Sequence, residues 1–103
     1  MRRFVLAYST SPSKKFMVHE MTKQGVRGPV HFGDARYDDY TSHADKKRRL
    51  SYIARHEKNE NWSSTGMDTA GFWSRWMLWN KPSLFESIKD AERKFNIEIR
   101  FLI

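Results

Sequence analysis

Cysteine is absent from all 103 residues, which removes disulfide scaffolds, thiolate metal sites and thiol nucleophiles together. A chain without cysteine suits a reducing intracellular setting and is not expected to be secreted. Long apolar runs are missing too. None approaches the ~18–20 residues that a membrane-spanning helix needs, so no membrane partner is expected. Met1-Arg2-Arg3-Phe4-Val5-Leu6-Ala7-Tyr8 begins like a signal peptide. Its apolar stretch stops at Ser9, short of a working hydrophobic region. Internal repeats and low-complexity segments are lacking, and two independent cores would each be too small. One domain over residues 1–103 is therefore expected.

What is present is aromatic and basic. Aromatic residues make up 15% of the chain, so core volume comes largely from Phe, Trp and Tyr, each able to bury ~150–250 Å². The formal net charge is +7 and unevenly spread. Residues 1–33 carry six bases against one acid, residues 34–58 seven against five, and residues 59–103 six against six. All of the excess lies in the first 58 residues. A one-sided positive field favours a polyanionic partner, because neutralising phosphates releases counterions.

Phe4 to Ser9 and Lys15 to Met21 have the composition of short strands, separated by a Ser/Thr/Pro turn at Ser9–Lys14. Gly25 to Gly28 is expected to turn the chain before a third extended piece, Pro29–Gly33. Asp34 to Thr41 reads as a polar, aromatic loop. Ser42 or Asp45 should cap a helix running to about Glu57, with Leu50, Ile53, Ala54 and Glu57 on its inner stripe. A second helix is expected from Thr69 to about Asn80, capped by Asp68 or Thr69. Phe72, Trp76 and Trp79 fall there at helical spacing, which places Trp76 at the centre of the core. Pro82 ends that helix. Ser83-Leu84-Phe85-Glu86 is a capping box opening a third helix with a Leu84, Ile88, Ala91, Phe95 stripe. Ile97, Ile99, Phe101 and Ile103 alternate as a closing strand. The expectation is an α+β fold. A small antiparallel sheet, made of the N-terminal hairpin and the C-terminal strand, carries two or three helices on one face.

No pattern of catalytic residues stands out, and neither a cofactor nor a metal is expected. Asp34, Asp38, Asp39 and His43 lie close in sequence but at no metal-ligand spacing, and they suit a turn-rich loop. His31, His43 and His56 would have to converge from separate segments to hold zinc. The basic helix carries more information. Lys46, Lys47, Arg48 and Arg49 crowd its first turns, the positive end of the helix dipole, where cations are unfavourable unless an anion is present. With Arg55 and Lys58 they form a candidate phosphate-binding face. Arg36, Tyr37 and Tyr40 in the preceding loop add a cation and two rings able to stack on bases. Trp73, Trp76 and Trp79 read as core, whereas Trp62 sits in a polar segment as a core edge or partner anchor.

Several stretches are distinctive in wording: His31-Phe32-Gly33, Tyr37-Asp38-Asp39-Tyr40-Thr41, Arg55-His56-Glu57-Lys58-Asn59-Glu60-Asn61-Trp62 and Thr69 to Leu84, above all Gly71 to Pro82. Together with Ser87-Ile88-Lys89-Asp90 and Lys94-Phe95, they resemble an uncharacterised family of small basic proteins encoded by giant and other large nucleocytoplasmic DNA viruses. The resemblance spans about residues 30–95 and leaves out both terminal strands. Similar sequences tend to have Gly at the position of Arg36, which weakens that residue as a shared functional group. The resemblance implies a viral protein of the virion and of the infected cell's cytoplasm or nucleus, and it implies no enzymatic activity. The expected function is non-enzymatic nucleic-acid binding, DNA ahead of RNA, by a protein packaged with the genome. The alternative is a minor capsid or other structural virion protein that turns the same basic surface to acidic capsid proteins.

Overall fold

Alternation in the first thirty residues builds a three-stranded meander, seen in a computed structural model that describes residues 1–102. β1 (Arg3–Tyr8) and β2 (Lys14–Thr22) pair antiparallel, with Leu6 opposite Val18 and Tyr8 opposite Phe16. β2 pairs antiparallel with β3 (Gly25–Asp34), with Phe16 opposite Phe32 and Val18 opposite Val30. The third strand is thus longer than the Pro29–Gly33 piece expected. The turn falls earlier, at Lys23-Gln24, where the Thr22 hydroxyl donates to the Gly25 carbonyl. Gly25 to Gly28 already belongs to the ladder. One extra residue of β3 bulges between the Val18–Val30 and Glu20–Arg27 pairs. Pro29 sits there on an edge strand, where its missing N–H breaks no pairing.

Two short helices follow. The stretch expected to be only loop ends in α1 (Tyr40–His43), because Asp39 caps it by accepting from the Thr41 backbone N–H while the Ser42 hydroxyl accepts from the Asp39 N–H. Asp45, one of the two expected caps, accepts from the Lys47 and Arg48 N–H groups and opens α2 (Lys46–His56). The inner face of α2 is not the Leu50 stripe. Leu50 is 62% exposed, and Ala54 and Glu57 also face out. Tyr52 is the buried residue, flanked by half-buried Arg49, Ile53 and His56, because a flat ring can stack on the tryptophan beneath this helix whereas Leu50 has no apolar neighbour to cover it.

Thr69 caps α3 (Ala70–Trp73), which continues into a π-helical turn over Ser74–Leu78. That turn changes which aromatic ring is central. In a π turn residues five apart share a face, and the buried pairs are Phe72 with Met77 and Trp73 with Leu78. Trp73, fully buried, holds the centre: its ring meets Phe4 at 4.9 Å and Phe72 at 5.1 Å, and its indole N–H donates to the Met67 carbonyl at 2.8 Å. Trp76, expected there from a regular α-helical period, lies partly buried on the flank.

Ser83 caps α4 (Leu84–Phe95), whose Ile88 and Ala91 are buried and whose Leu84 and Phe95 pack against the core, as the stripe predicts. Asn96 in the left-handed conformation ends it, and β4 (Glu98–Leu102) follows. Ile103, expected to finish that strand, lies outside the described residues. The sheet order is β3-β2-β1-β4, and β4 runs parallel to β1 rather than antiparallel. The α+β class and the helical layer on one face hold; the all-antiparallel sheet does not. β1 and β3 run in the same direction, so the chain leaves β3 at the end where β1 also finishes. The helices carry it back across the face, and it re-enters beside the start of β1, where the Glu98 N–H donates to the Arg2 carbonyl. Phe4 and Leu6 of β1, Val18, Phe32 and Ile99 supply the sheet side of one core, and Phe72, Trp73, Met77, Leu78 and Ile88 the helical side.

Candidate functional site

A concavity of about 680 Å³ opens where the β2 start, the end of β3 and its following loop, α2 and α3 meet. One wall is the exposed side of α2, from which Lys47, Arg48, Ser51 and Arg55 reach the opening. These residues fall at i, i+1, i+4 and i+8, close to one helical face. Lys14, more than thirty residues away in sequence, joins them from the start of β2. None of Lys14, Lys47, Arg48 and Arg55 has a carboxylate partner among the described residues.

Aromatic rings line the interior. Tyr52 lies parallel to Trp79 at 4.4 Å and 4°, and its ring also stacks with His56 at 4.3 Å. Burial pushes the Tyr52 phenol up, so it stays neutral and acts as a hydrogen-bonding ring rather than an anion. Glu60 is fixed between two donors, the Trp62 indole N–H at 2.9 Å and His56 Nδ1 at 3.2 Å. Gly71 makes room for it: a Cβ at that position would come within 2.7 Å of the Glu60 carboxyl carbon. The Trp62 segment is held in turn by the Trp76 indole N–H, which donates to the Trp62 carbonyl, and by the Arg75 guanidinium over both rings. Burial pushes that guanidinium down to about 10, which still leaves it charged at neutral pH.

The lining is also acidic, through Asp34, Asp38, Asp39 and Glu60. Asp39 is buried; its carboxylate binds Lys15 at 2.6 Å and also caps α1. Asp34 is held by Arg36, whose side chain and backbone N–H both donate to it, and its carboxyl is lowered to about 2. Asp38 is exposed and makes no side-chain hydrogen bond or ion pair among the described residues. His43, weighed beside these acids as a metal ligand, is engaged elsewhere: its Nδ1 accepts from the Asp45 N–H and its ring lies against Trp79. Among the described residues no three His, Asp or Glu side chains gather as a metal-ligating group.

Of the nine residues singled out in the sequence, Tyr37, Lys47, Arg48 and Arg55 line the cleft. Lys46 and Lys58 are exposed near the ends of α2 but outside it. Arg36 also lies outside, bound to Asp34 with its guanidinium over the Tyr37 ring at 5.4 Å. One assignment is corrected. Tyr40 is buried beneath Arg49 and presents no open ring for stacking. Arg49, half-buried, donates through Nε to the Trp79 and Asn80 carbonyls, at 3.0 and 3.1 Å, and clips α2 to the end of the π turn. Its position one step round the helix from Arg48 turns it inward. Sequence reading missed Lys14, Ser51, Tyr52, His56, Glu60 and Trp79 as lining residues. The one signal that pointed to part of this set was the distinctive Arg55–Trp62 wording.

Fold and site together define a small α+β domain with a mixed four-stranded sheet and a cleft rimmed by free cations. A model for a family of unknown function (DUF5754) matches residues 4–56, just over half of the chain, and the chain belongs to that family. The matched span supplies the sheet meander and α2, and hence the cationic wall; the Gly71–Trp79 wall lies beyond it. No curated protein and no solved structure matches the chain.

Proposed function

We propose that this protein binds nucleic acid, DNA ahead of RNA, without catalysing a reaction, and that the cleft rim is the contact surface. One observation carries the reading: Lys14, Lys47, Arg48 and Arg55, from two distant segments, converge on one concave surface, each without a carboxylate partner among the described residues. Unpaired cations packed this closely repel one another, and a chain of phosphates relieves that repulsion while releasing its own counterions. Lys46 and Lys58 extend the positive strip along α2. Parts of the stretches that carry the resemblance to viral proteins reach the lining, among them Tyr37, Asp39, Arg55, Glu60, Gly71 and Trp79, which is the support for a viral protein packaged with its genome.

The test is fluorescence anisotropy with a labelled short DNA, single-stranded and duplex, at a series of salt concentrations. Four phosphate contacts give a log–log slope of roughly −3 to −4, so affinity falls about 100-fold between 50 and 200 mM salt. Weak binding with a flat slope for both probes refutes the proposal. For the virion role, nuclease treatment should release the protein from particles; retention on genome-free shells would instead favour a structural capsid role.

A further inference from the structure

The cleft has more than a basic rim, and its acidic lining groups narrow what it can hold. A surface built only for polyanions has no use for carboxylates beside its cations. Three of the four acids around this opening are already engaged: Asp34 by Arg36, Asp39 by Lys15, and Glu60 by His56 and Trp62. Asp38 alone has no partner among the described residues, and it lines the same cleft as Lys47, Arg48 and Arg55. A ligand matching both kinds of lining group carries an anion and hydrogen-bond donors. Beside Asp38 stands Tyr37, 64% exposed, with the Arg36 guanidinium over its ring. A flat, π-rich body with donors on its edge and a phosphate attached is a nucleotide. The volume of about 680 Å³ is of the size that takes a small ligand.

We infer that the cleft holds one unpaired nucleotide, its phosphate on Lys47, Arg48 and Arg55, its base against Tyr37, and the base's donor edge on the Asp38 carboxylate. The inference rests on the proposed nucleic-acid function and deepens it. An ionised carboxylate only accepts hydrogen bonds, so it selects bases by their donors. Guanine offers adjacent N1–H and N2–H donors, which match the two carboxylate oxygens. Adenine and cytosine offer an amino group beside an acceptor nitrogen, and thymine a single N–H between two carbonyls. Guanine is therefore preferred and thymine disfavoured. In a duplex the same edge is already paired, and the base reaches such a pocket only if it is extruded, at the expense of unstacking. Single strands and strand ends are the preferred form.

The experiment uses the full chain and four labelled or competing probes: an alternating d(TG) single strand, an oligo(dT) of equal length, the matching duplex, and free GMP, with TMP and inorganic phosphate as controls. The d(TG) strand should bind ~10-fold tighter than either oligo(dT) or duplex, the scale of one stacked, hydrogen-bonded base. GMP should displace the strand at lower concentration than TMP or phosphate. Asp38→Asn should bring d(TG) down to the oligo(dT) level with the salt slope unchanged, and Tyr37→Ala should weaken all single strands alike. Strand affinity well above that of GMP assigns the nucleotide to a chain, whereas equal affinities assign it to free nucleotide; the pocket chemistry stands in both cases. Duplex binding as tight as d(TG), or an Asp38→Asn protein that still distinguishes d(TG) from oligo(dT), overturns the inference. Either result with a steep salt slope leaves nucleic-acid binding itself intact. A flat slope with every probe removes the underlying function instead.

Discussion

Replacing Trp73 by alanine tests the packing logic of the helical layer. The ring is fully buried between sheet and helices, so truncation removes roughly 150–250 Å² of packed surface. At ~25 cal/mol/Å² that area is equivalent to ~4–6 kcal/mol, and Phe or Trp to Ala changes in cores cost about 3–5 kcal/mol. The Met67 carbonyl, which accepts the indole N–H, also loses its partner, a further ~1–3 kcal/mol unless water enters the space. A domain of this size holds only ~5–15 kcal/mol in total, so Trp73→Ala should be largely unfolded, or melt at least ~15 °C lower. Trp76→Ala should cost about half as much. That ring is only partly buried, meets Phe95 edge-on at 5.3 Å, and has Arg75 and Lys94 over its faces. Trp73→Phe, which keeps a ring but loses the N–H, should fall near 1–2 kcal/mol. Urea unfolding followed by circular dichroism measures all three, because tryptophan fluorescence changes with the substitution itself. A Trp76→Ala protein less stable than Trp73→Ala would refute the π-turn phasing and restore the regular helical register.

Further outcomes follow from other contacts of the fold. Arg49→Ala should lose about 1–3 kcal/mol of stability, read by thermal melting, because two carbonyl bonds of a charged group disappear. Lys47→Ala with Arg48→Ala should melt normally and flatten the salt slope by about 1 per lost phosphate contact. Gly66→Ala should not fold to the native state, since a Cβ there collides with the Asn61 carbonyl oxygen; absent cooperative melting checks this, and a native-like melt would refute it. The pH dependence is acidic. Arg2 lowers the Glu20 carboxyl, the Asn80 amide lowers Asp90, and Arg36 lowers Asp34 to about 2. Carboxyls depressed by folding contribute stability above their unfolded values, 4.5 for Glu20 and 3.8 for the aspartates, and that contribution is lost as pH falls through the folded values. Stability should stay level between about pH 5 and 8 and fall steadily below pH 4.5. Arg36→Ala should return Asp34 toward 3.8 by NMR titration with little change in melting, because the pair lies in solvent.

Local chemistry made several elements readable. Ser83 and Glu86 mark the start of α4 because a capping box satisfies two backbone donors within four residues. The Ile97, Ile99, Phe101 alternation marks β4 because successive side chains in a strand point to opposite faces. The helix bearing Lys46 to Arg49 was legible as basic, and Asp45 as one of its two candidate caps. Its inner face was not, because Arg49 and Tyr52 look polar in a one-dimensional pattern. Tyr52 is buried and Arg49 half-buried only because Trp79 and two carbonyls wait for them about thirty residues along the chain.

The sequence by itself determined that the chain is an α+β protein without thiol chemistry, where most strands and helices lie, and that its free positive charge belongs to the first half. Each of these depends on neighbours a few residues apart. Tertiary structure alone decided that β4 runs parallel to β1, that a π turn sets Trp73 rather than Trp76 at the core, and that Lys14, Asp38 and Arg55 share one opening. Strand direction depends on where the helices return the chain, and the π turn on which packing buries most aromatic surface. The cleft depends on segments that only the sheet order brings together. None of these leaves a periodic or compositional trace, because each is settled by contacts between residues far apart in the chain.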